Sequence, residues 1–324
     1  MSIRAHSLPA SAIQMEIRKP RALSLQSMLM PFAPASPADF AKVIAGCEEL
    51  RRLGFQVADA TPPSAEGYFA GPVDGRRNDF LSELERDDVD GLVAVRGGYG
   101  SNYILDNLEV RRPELPKVIL GYSDLTSLQI YLWKRYAWVT LYGPMLAAGF
   151  EAGAGAAGGY DKQSLLAALG KTNSGWGMKL EGETLVPGEA EGRLLGGCMT
   201  LVETTLGTPW ELDTRDSIVV LEDRGMKPWQ VDRALMHLKQ AGKFEGVRGI
   251  VLGEFPQCDP PTSGSPAVRD VCARLLKPLG AALVFGAPVG HTRRPMLTLP
   301  LGVKARLSAK GEGALEVMEP AVAP

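Results

Sequence analysis

The chain's 324 residues, at roughly 100–200 per domain, predict two domains with ample core and exclude a single disulfide-stapled module. With 35 Lys and Arg against 37 Asp and Glu, the net charge is -2. That excludes both the basic face of a nucleic-acid binder and the acidic excess of a disordered chain, leaving a small molecule as the expected partner. Cys47, Cys198, Cys258 and Cys272 are widely separated with no CxxC pair. They read as reduced packing thiols rather than a zinc site or disulfide frame, which implies a cytoplasmic setting.

Residues 1–20 are expected to be a loose extension, because Pro9, Ser11, Gln14 and Glu16 interrupt every apolar run of signal-peptide length. From 21 to 146 short apolar strands alternate with amphipathic helices. Strands are predicted over 24–32, 55–59, 90–98 and 117–123, and helices from Ser36-Pro37 and Asp39 to about Leu53, over 76–86, and over 124–136. Uninterrupted apolar strands with helices between them signal a parallel sheet covered on both faces. The stretch 147–188 is rich in Gly and Ala and then polar, and is read as a linker. Pro144, Glu151 and the glycines around them exclude a membrane-spanning helix there. A second domain, 189–324, follows. Its strands are expected at 192–197, 217–223, 249–255 and 282–288, its helices at 228–242 and near 266–278, and a hairpin is expected around KGEG.

Chemistry is sought where strands end. Ser123 lies at a strand-to-helix junction, beside backbone N–H groups that have no helical partner. It is either a nucleophile or a helix cap, and Leu125 breaks the second glycine of a G-x-S-x-G elbow. Of three histidines, His6 falls in the extension and His237 on a polar helix face, which leaves His291 in the loop after ALVFGAPVG, either a catalytic group or a hydrogen-bonded surface imidazole next to Arg293 and Arg294. Glu222 ends SIVVL and can orient an imidazole, although a water-exposed strand-end acid, the description that also fits Asp223, is equally open. RGGYG (96–100) has Tyr103 where a dinucleotide fingerprint needs glycine, so Gly97 and Gly98 mark either a close backbone approach or a tight turn.

Taken in order, DGLVAVRGGYGSNYILDNL, KVILGYSDLTSLQIYL, LYGPM, GRLLGGCMTLVETTLGTPW, IVVLEDRGMKPWQVDRALMHLKQAG, GIVLGEF and PVGH resemble the LD-carboxypeptidase family of serine peptidases, which includes the microcin-immunity peptidases. The resemblance spans about residues 28–305. It implies a parallel-sheet α/β N-terminal domain, a β-rich α/β C-terminal domain, an active site in the cleft between them, and a homodimer. It also implies Ser123 as nucleophile, Glu222 as orienting acid, His291 as general base, and the N–H groups of Gly98 and Asp124 as oxyanion hole, with no metal or organic cofactor. Its reaction would be removal of a terminal D-alanine from a murein tetrapeptide during peptidoglycan recycling, with no membrane or nucleic-acid partner. Alternatives are cleavage of an aminoacyl-nucleotide antibiotic, with Trp229 or Trp176 stacking on the base, and a non-catalytic peptide-binding protein. Arg96, Tyr99 and Trp229 are the expected substrate contacts, Arg96 as a fork for the free carboxylate. The sequence departs from the family pattern in having Cys198 where asparagine is expected, Trp229 where tyrosine is frequent, and no glycine after Ser36.

Overall fold

The computed structural model describes residues 16–62, 64–170 and 175–323. His6 and most of the expected extension lie outside these residues. Those of the extension that are described are not loose: Arg18 pairs in parallel with Trp138, and Lys19 forms an ion pair with Glu319.

The elements of the N-terminal half are β1 (Met28–Phe32), α1 (Phe40–Arg52), β2 (Gln56–Val57), α2 (Val73–Glu85), β3 (Gly91–Ala94), β4 (Val118–Gly121), α3 (Thr126–Tyr136) and β5 (Thr140–Tyr142). They are followed by α4 (Lys162–Leu169), β6 (Trp176–Lys179), β7 (Glu183–Val186), β8 (Gly188–Cys198), α5 (Met199–Thr204), β9 (Ser217–Glu222) and α6 (Pro228–Gln240). The chain closes with β10 (Gly249–Gly253), α7 (Val268–Leu276), β11 (Ala282–Ala287), β12 (Leu299–Leu301), β13 (Lys304–Ala309) and β14 (Ala314–Val317).

The first sheet has the order β12-β5-β4-β3-β1-β2 and is parallel except for β12. Strands β3 and β4 are buried at every position, as a sheet covered on both faces requires. The second sheet, β6-β14-β13-β8-β9-β10-β11-β7, is mixed: β8, β9, β10 and β11 run parallel and the outer strands antiparallel. The two α/β domains share one continuous apolar core, in which Leu120, Leu141 and Tyr142 belong to the first sheet and Leu194, Val220 and Val284 to the second. On the other face of the second sheet, α6 buries Val231, Ala234, Leu235 and Leu238 against Val271 and Cys272 of α7.

Segment 147–188 differs from a linker. Within it, α4 is capped by Asp161, whose side chain accepts from the Ser164 N–H at 2.7 Å, and β6 and β7 are the two edge strands of the second sheet. The Gly/Ala stretch has its own anchors: Phe150 and Tyr160 are fully buried with ring centroids 5.0 Å apart, and Tyr160 donates to the buried carboxylate of Glu49. A helix this short and edge strands this polar carry weak periodicity, which the Gly/Ala-rich composition masks.

Candidate active site

Parallel strands put their carboxyl ends along one edge, and the loops leaving β3, β4, β8, β9 and β11 meet there. They line a cavity of about 720 Å³ whose walls include Arg96, Gly98, Ser123, Cys198, Asp223 and His291.

Ser123 follows β4 with φ 65°, a left-handed conformation that costs a non-glycine residue about 1–2 kcal/mol. Strain at that one position turns the side chain into the cavity and leaves the Asp124 N–H beside it. A Cβ built on Gly97 would lie 3.0 Å from Ser123 Oγ and 3.2 Å from Asp124 N, so the backbone of the β3 loop touches the serine directly. Among the described residues, neither the Gly98 nor the Asp124 N–H donates a hydrogen bond. Ser36, expected as part of the cap of α1, instead holds this loop: its Oγ accepts from the Tyr99 N–H at 3.1 Å, and Asp39 caps α1 through the Ala41 N–H. Asp124 is buried and its carboxylate accepts from the Ser101 N–H at 2.8 Å, which ties the Ser123 turn to the same loop. Burial pushes the Asp124 carboxyl above the usual carboxylate range, against the pull of those hydrogen bonds.

Glu222 is completely buried at the end of β9. Its Oε2 accepts from both the backbone N–H and the ring Nδ1 of His291, each at 2.8 Å, and its Oε1 accepts from the Tyr142 hydroxyl. Because Nδ1 faces a carboxylate, it carries the proton and Nε2 is left as the free acceptor. The packing needs glycine at Gly290, which has φ 60° and where a Cβ would sit 2.4 Å from Glu222 Cδ. The His291 ring packs edge-on against Tyr122, with centroids 5.0 Å apart. Ser123 Oγ makes no hydrogen bond to the ring in this structure. Such contacts are commonly long in free enzymes and close when substrate binds.

Asp223 is not a water-exposed acid. It is buried, accepts from Thr200 N at 2.9 Å and Thr200 Oγ1 at 2.6 Å, and burial raises its pKa. Cys198 is buried on the cavity wall, where desolvation and then Asp223 and Glu222 push its thiol far up, so it remains neutral. Lys42, Arg96 and Arg224 supply positive charge along the same cavity. Arg96 is exposed and donates to the Pro37 carbonyl at 3.2 Å.

Two expected contacts lie elsewhere. Trp229 occupies the first turn of α6, 56 % exposed with Arg233 over its ring, and does not line the cavity. Tyr99 turns its ring into an exposed group with Tyr68, Phe69 and Tyr103, while only its backbone supports the loop. Trp176, on an edge strand of the second sheet, is likewise outside the cavity. His237 is exposed and pairs with Glu203.

A strained serine at a strand end, an imidazole oriented by a buried carboxylate, and the backbone donors of Gly98 on the cavity wall and Asp124 next to the serine form the constellation of a serine-type hydrolase. Residues 31–143 match the LD-carboxypeptidase N-terminal domain and residues 191–307 the LD-carboxypeptidase C-terminal domain. The chain is 32% identical over 303 residues to a probable murein peptide carboxypeptidase of Bacillus subtilis, covering 92% of this chain and 93% of that protein. It is 27% identical to the microcin C7 self-immunity protein of Escherichia coli, over 84% of this chain and 87% of that one. Among solved structures, a muramoyltetrapeptide carboxypeptidase from Oxalobacter formigenes superposes with TM-score 0.80 at 25% identity, covering 91% of this chain and 99% of that one. The self-immunity protein in complex with glutamyl sulfamoyl guanosine shares the fold, with TM-score 0.83 at 22% identity over 94% of this chain and 99% of that one. The chain belongs to the LD-carboxypeptidase family of serine-type peptidases.

Proposed function

We propose that the chain hydrolyses the amide between an L-configured centre and a C-terminal D-amino acid, the terminal D-alanine of a murein tetrapeptide, in cytoplasmic recycling of cell-wall peptides. One observation carries the reading: Ser123, the Glu222-oriented His291 and Gly98 line a single cavity with cationic side chains on its walls, and the Asp124 N–H lies next to Ser123.

In this mechanism His291 Nε2 removes the Ser123 proton as Oγ attacks the scissile carbonyl, and the Gly98 and Asp124 N–H groups bind the oxyanion. The imidazolium then protonates the departing amine of D-alanine. Water enters, gives its proton to His291 and releases the tripeptide from Ser123. Glu222 stabilises the imidazolium in both halves. Arg96, Lys42 and Arg224 are the candidate donors for the free carboxylate of the leaving residue. The working form is read as a homodimer, as the family resemblance implies, and sedimentation equilibrium of the full chain measures it.

A substrate panel tests the proposal. The L,D-tetrapeptide should release D-alanine, while its C-terminal amide and its all-L analogue should be far poorer substrates. Equal cleavage of all three overturns the exopeptidase reading. Inactivity on all three with turnover of an aminoacyl-nucleotide replaces it with the antibiotic-cleaving alternative, which Trp229 and Trp176, away from the cavity, do not support.

A further inference from the structure

Tyr142 is the last residue of β5 in the first sheet, fully buried, and its hydroxyl stands between the two halves of the site. It accepts from the Ser123 N–H at 3.3 Å and donates to Glu222 Oε1. One oxygen therefore touches the backbone of the strained serine from the first domain and the carboxylate at the end of β9 from the second. The ring is held from other sides: Tyr122 meets it edge-on at 6.1 Å, and a Cβ on Gly197, where φ is 137°, would come within 3.2 Å of Tyr142 Cε2. Burial and the Glu222 charge both raise the phenol pKa well above its ordinary value, so Tyr142 stays a donor across the working pH range.

We propose that Tyr142 is a positioning residue for the hydrolysis, setting the Ser123 turn and the Glu222 carboxylate in register across the domain boundary through its single hydroxyl. The inference rests on the serine-peptidase reading of Ser123, Glu222 and His291. Two consequences follow from the chemistry. By occupying the Ser123 N–H, the phenol leaves the Gly98 and Asp124 N–H groups as the pair available to an oxyanion. By donating to Oε1, it disperses part of the carboxylate charge and commits Oε2 to His291. Without that donor, Glu222 holds its negative charge more sharply against the imidazolium.

The test is Tyr142→Phe, alone and combined with Glu222→Gln, with D-alanine release followed against pH. Tyr142→Phe should lower kcat by about 10- to 100-fold, the range that loss of one hydrogen bond to a charged group carries, with KM changed by less than about threefold. The limb of the kcat profile that rises with pH, where His291 must be neutral, should move upward by about half a unit or more. In the Glu222→Gln background the same substitution should cost almost nothing further, because its route to the imidazole is already cut. A loss of kcat that leaves the pH limb in place, or that multiplies fully with Glu222→Gln, overturns the positioning role and leaves Tyr142 as packing. If Tyr142→Phe does not fold, wild-type protein carrying tyrosine labelled at Cζ supplies the answer. One tyrosine resonance should report the Glu222→Gln change while staying protonated, and no such response overturns the proposal. Full activity in Ser123→Ala would instead remove the reading beneath it, whatever Tyr142→Phe does.

Discussion

Replacing Glu222 by glutamine separates an orienting acid from a merely buried one. The carboxylate is wholly enclosed and receives three donors: the Tyr142 hydroxyl on Oε1, and the His291 N–H and Nδ1 on Oε2, the last two at 2.8 Å. An amide of the same shape has one accepting oxygen. If that oxygen faces His291, the NH₂ meets the Tyr142 hydroxyl, which must then accept and release its own donor. If it faces Tyr142, the NH₂ turns toward Nδ1 and selects the wrong tautomer. In either arrangement the negative charge that stabilises the imidazolium is gone, so kcat should fall by about 10³–10⁴-fold while KM changes little. Asp223→Asn is the control, since Asp223 bonds Thr200 and the Arg224 N–H rather than the imidazole. It should cost about 1–3 kcal/mol of stability and less than about tenfold in kcat. Steady-state D-alanine release, with thermal melts of both variants, measures the contrast. Equal and mild effects on kcat would refute the assignment of Glu222.

Other perturbations follow from the same geometry. Gly290→Ala sets a methyl 2.4 Å from Glu222 Cδ at φ 60°, so it should cut kcat by about 10²-fold or more, and normal turnover would show that the loop yields without moving the acid. At Ser123, where φ is 65°, Ser123→Gly should melt higher than Ser123→Ala by an amount equivalent to about 1 kcal/mol, and equal melting temperatures would show that the turn is unstrained. Arg96→Ala should raise KM about tenfold and narrow the preference for the free carboxylate over the amide, and an unchanged ratio would assign that contact to Lys42 or Arg224. Burial raises the folded-state pKa of Asp223, so the native state binds its proton more tightly than the unfolded chain and loses that advantage as pH rises from about 4 through the raised value. Stability of Asp223→Asn relative to the parent should therefore improve across that window, and a constant difference would contradict it.

Much of this was legible in the residues because the chemistry sits at strand ends. Runs such as SIVVLE and VILGYS announce both a buried strand and the polar residue that leaves it. With three histidines, one in the extension and one on a polar helix face, His291 was left as the candidate imidazole, and its ring bonds Glu222. What escaped has physical causes. Strand β12 is only Leu-Pro-Leu, and Pro300 argues against a strand; it is tolerated because β12 is the edge of the first sheet, paired on one side with β5. Strands β6 and β7 are edges of four residues each with mixed polarity, too short for a period-2 signal. Tyr142 in TLY reads as core, and only the crossing of two sheets reveals that its hydroxyl joins Ser123 to Glu222. Asp223 looked exposed because the sequence does not show that α5 folds over it and donates from Thr200.

Whether Ser123 is the nucleophile of an LD-carboxypeptidase is decided by D-alanine release from an L,D-tetrapeptide by the parent chain and by Ser123→Ala under identical conditions. The parent should turn over, and a folded Ser123→Ala should lose about 10³-fold or more in kcat. Turnover by folded Ser123→Ala within about tenfold of the parent would exclude Ser123 as the nucleophile.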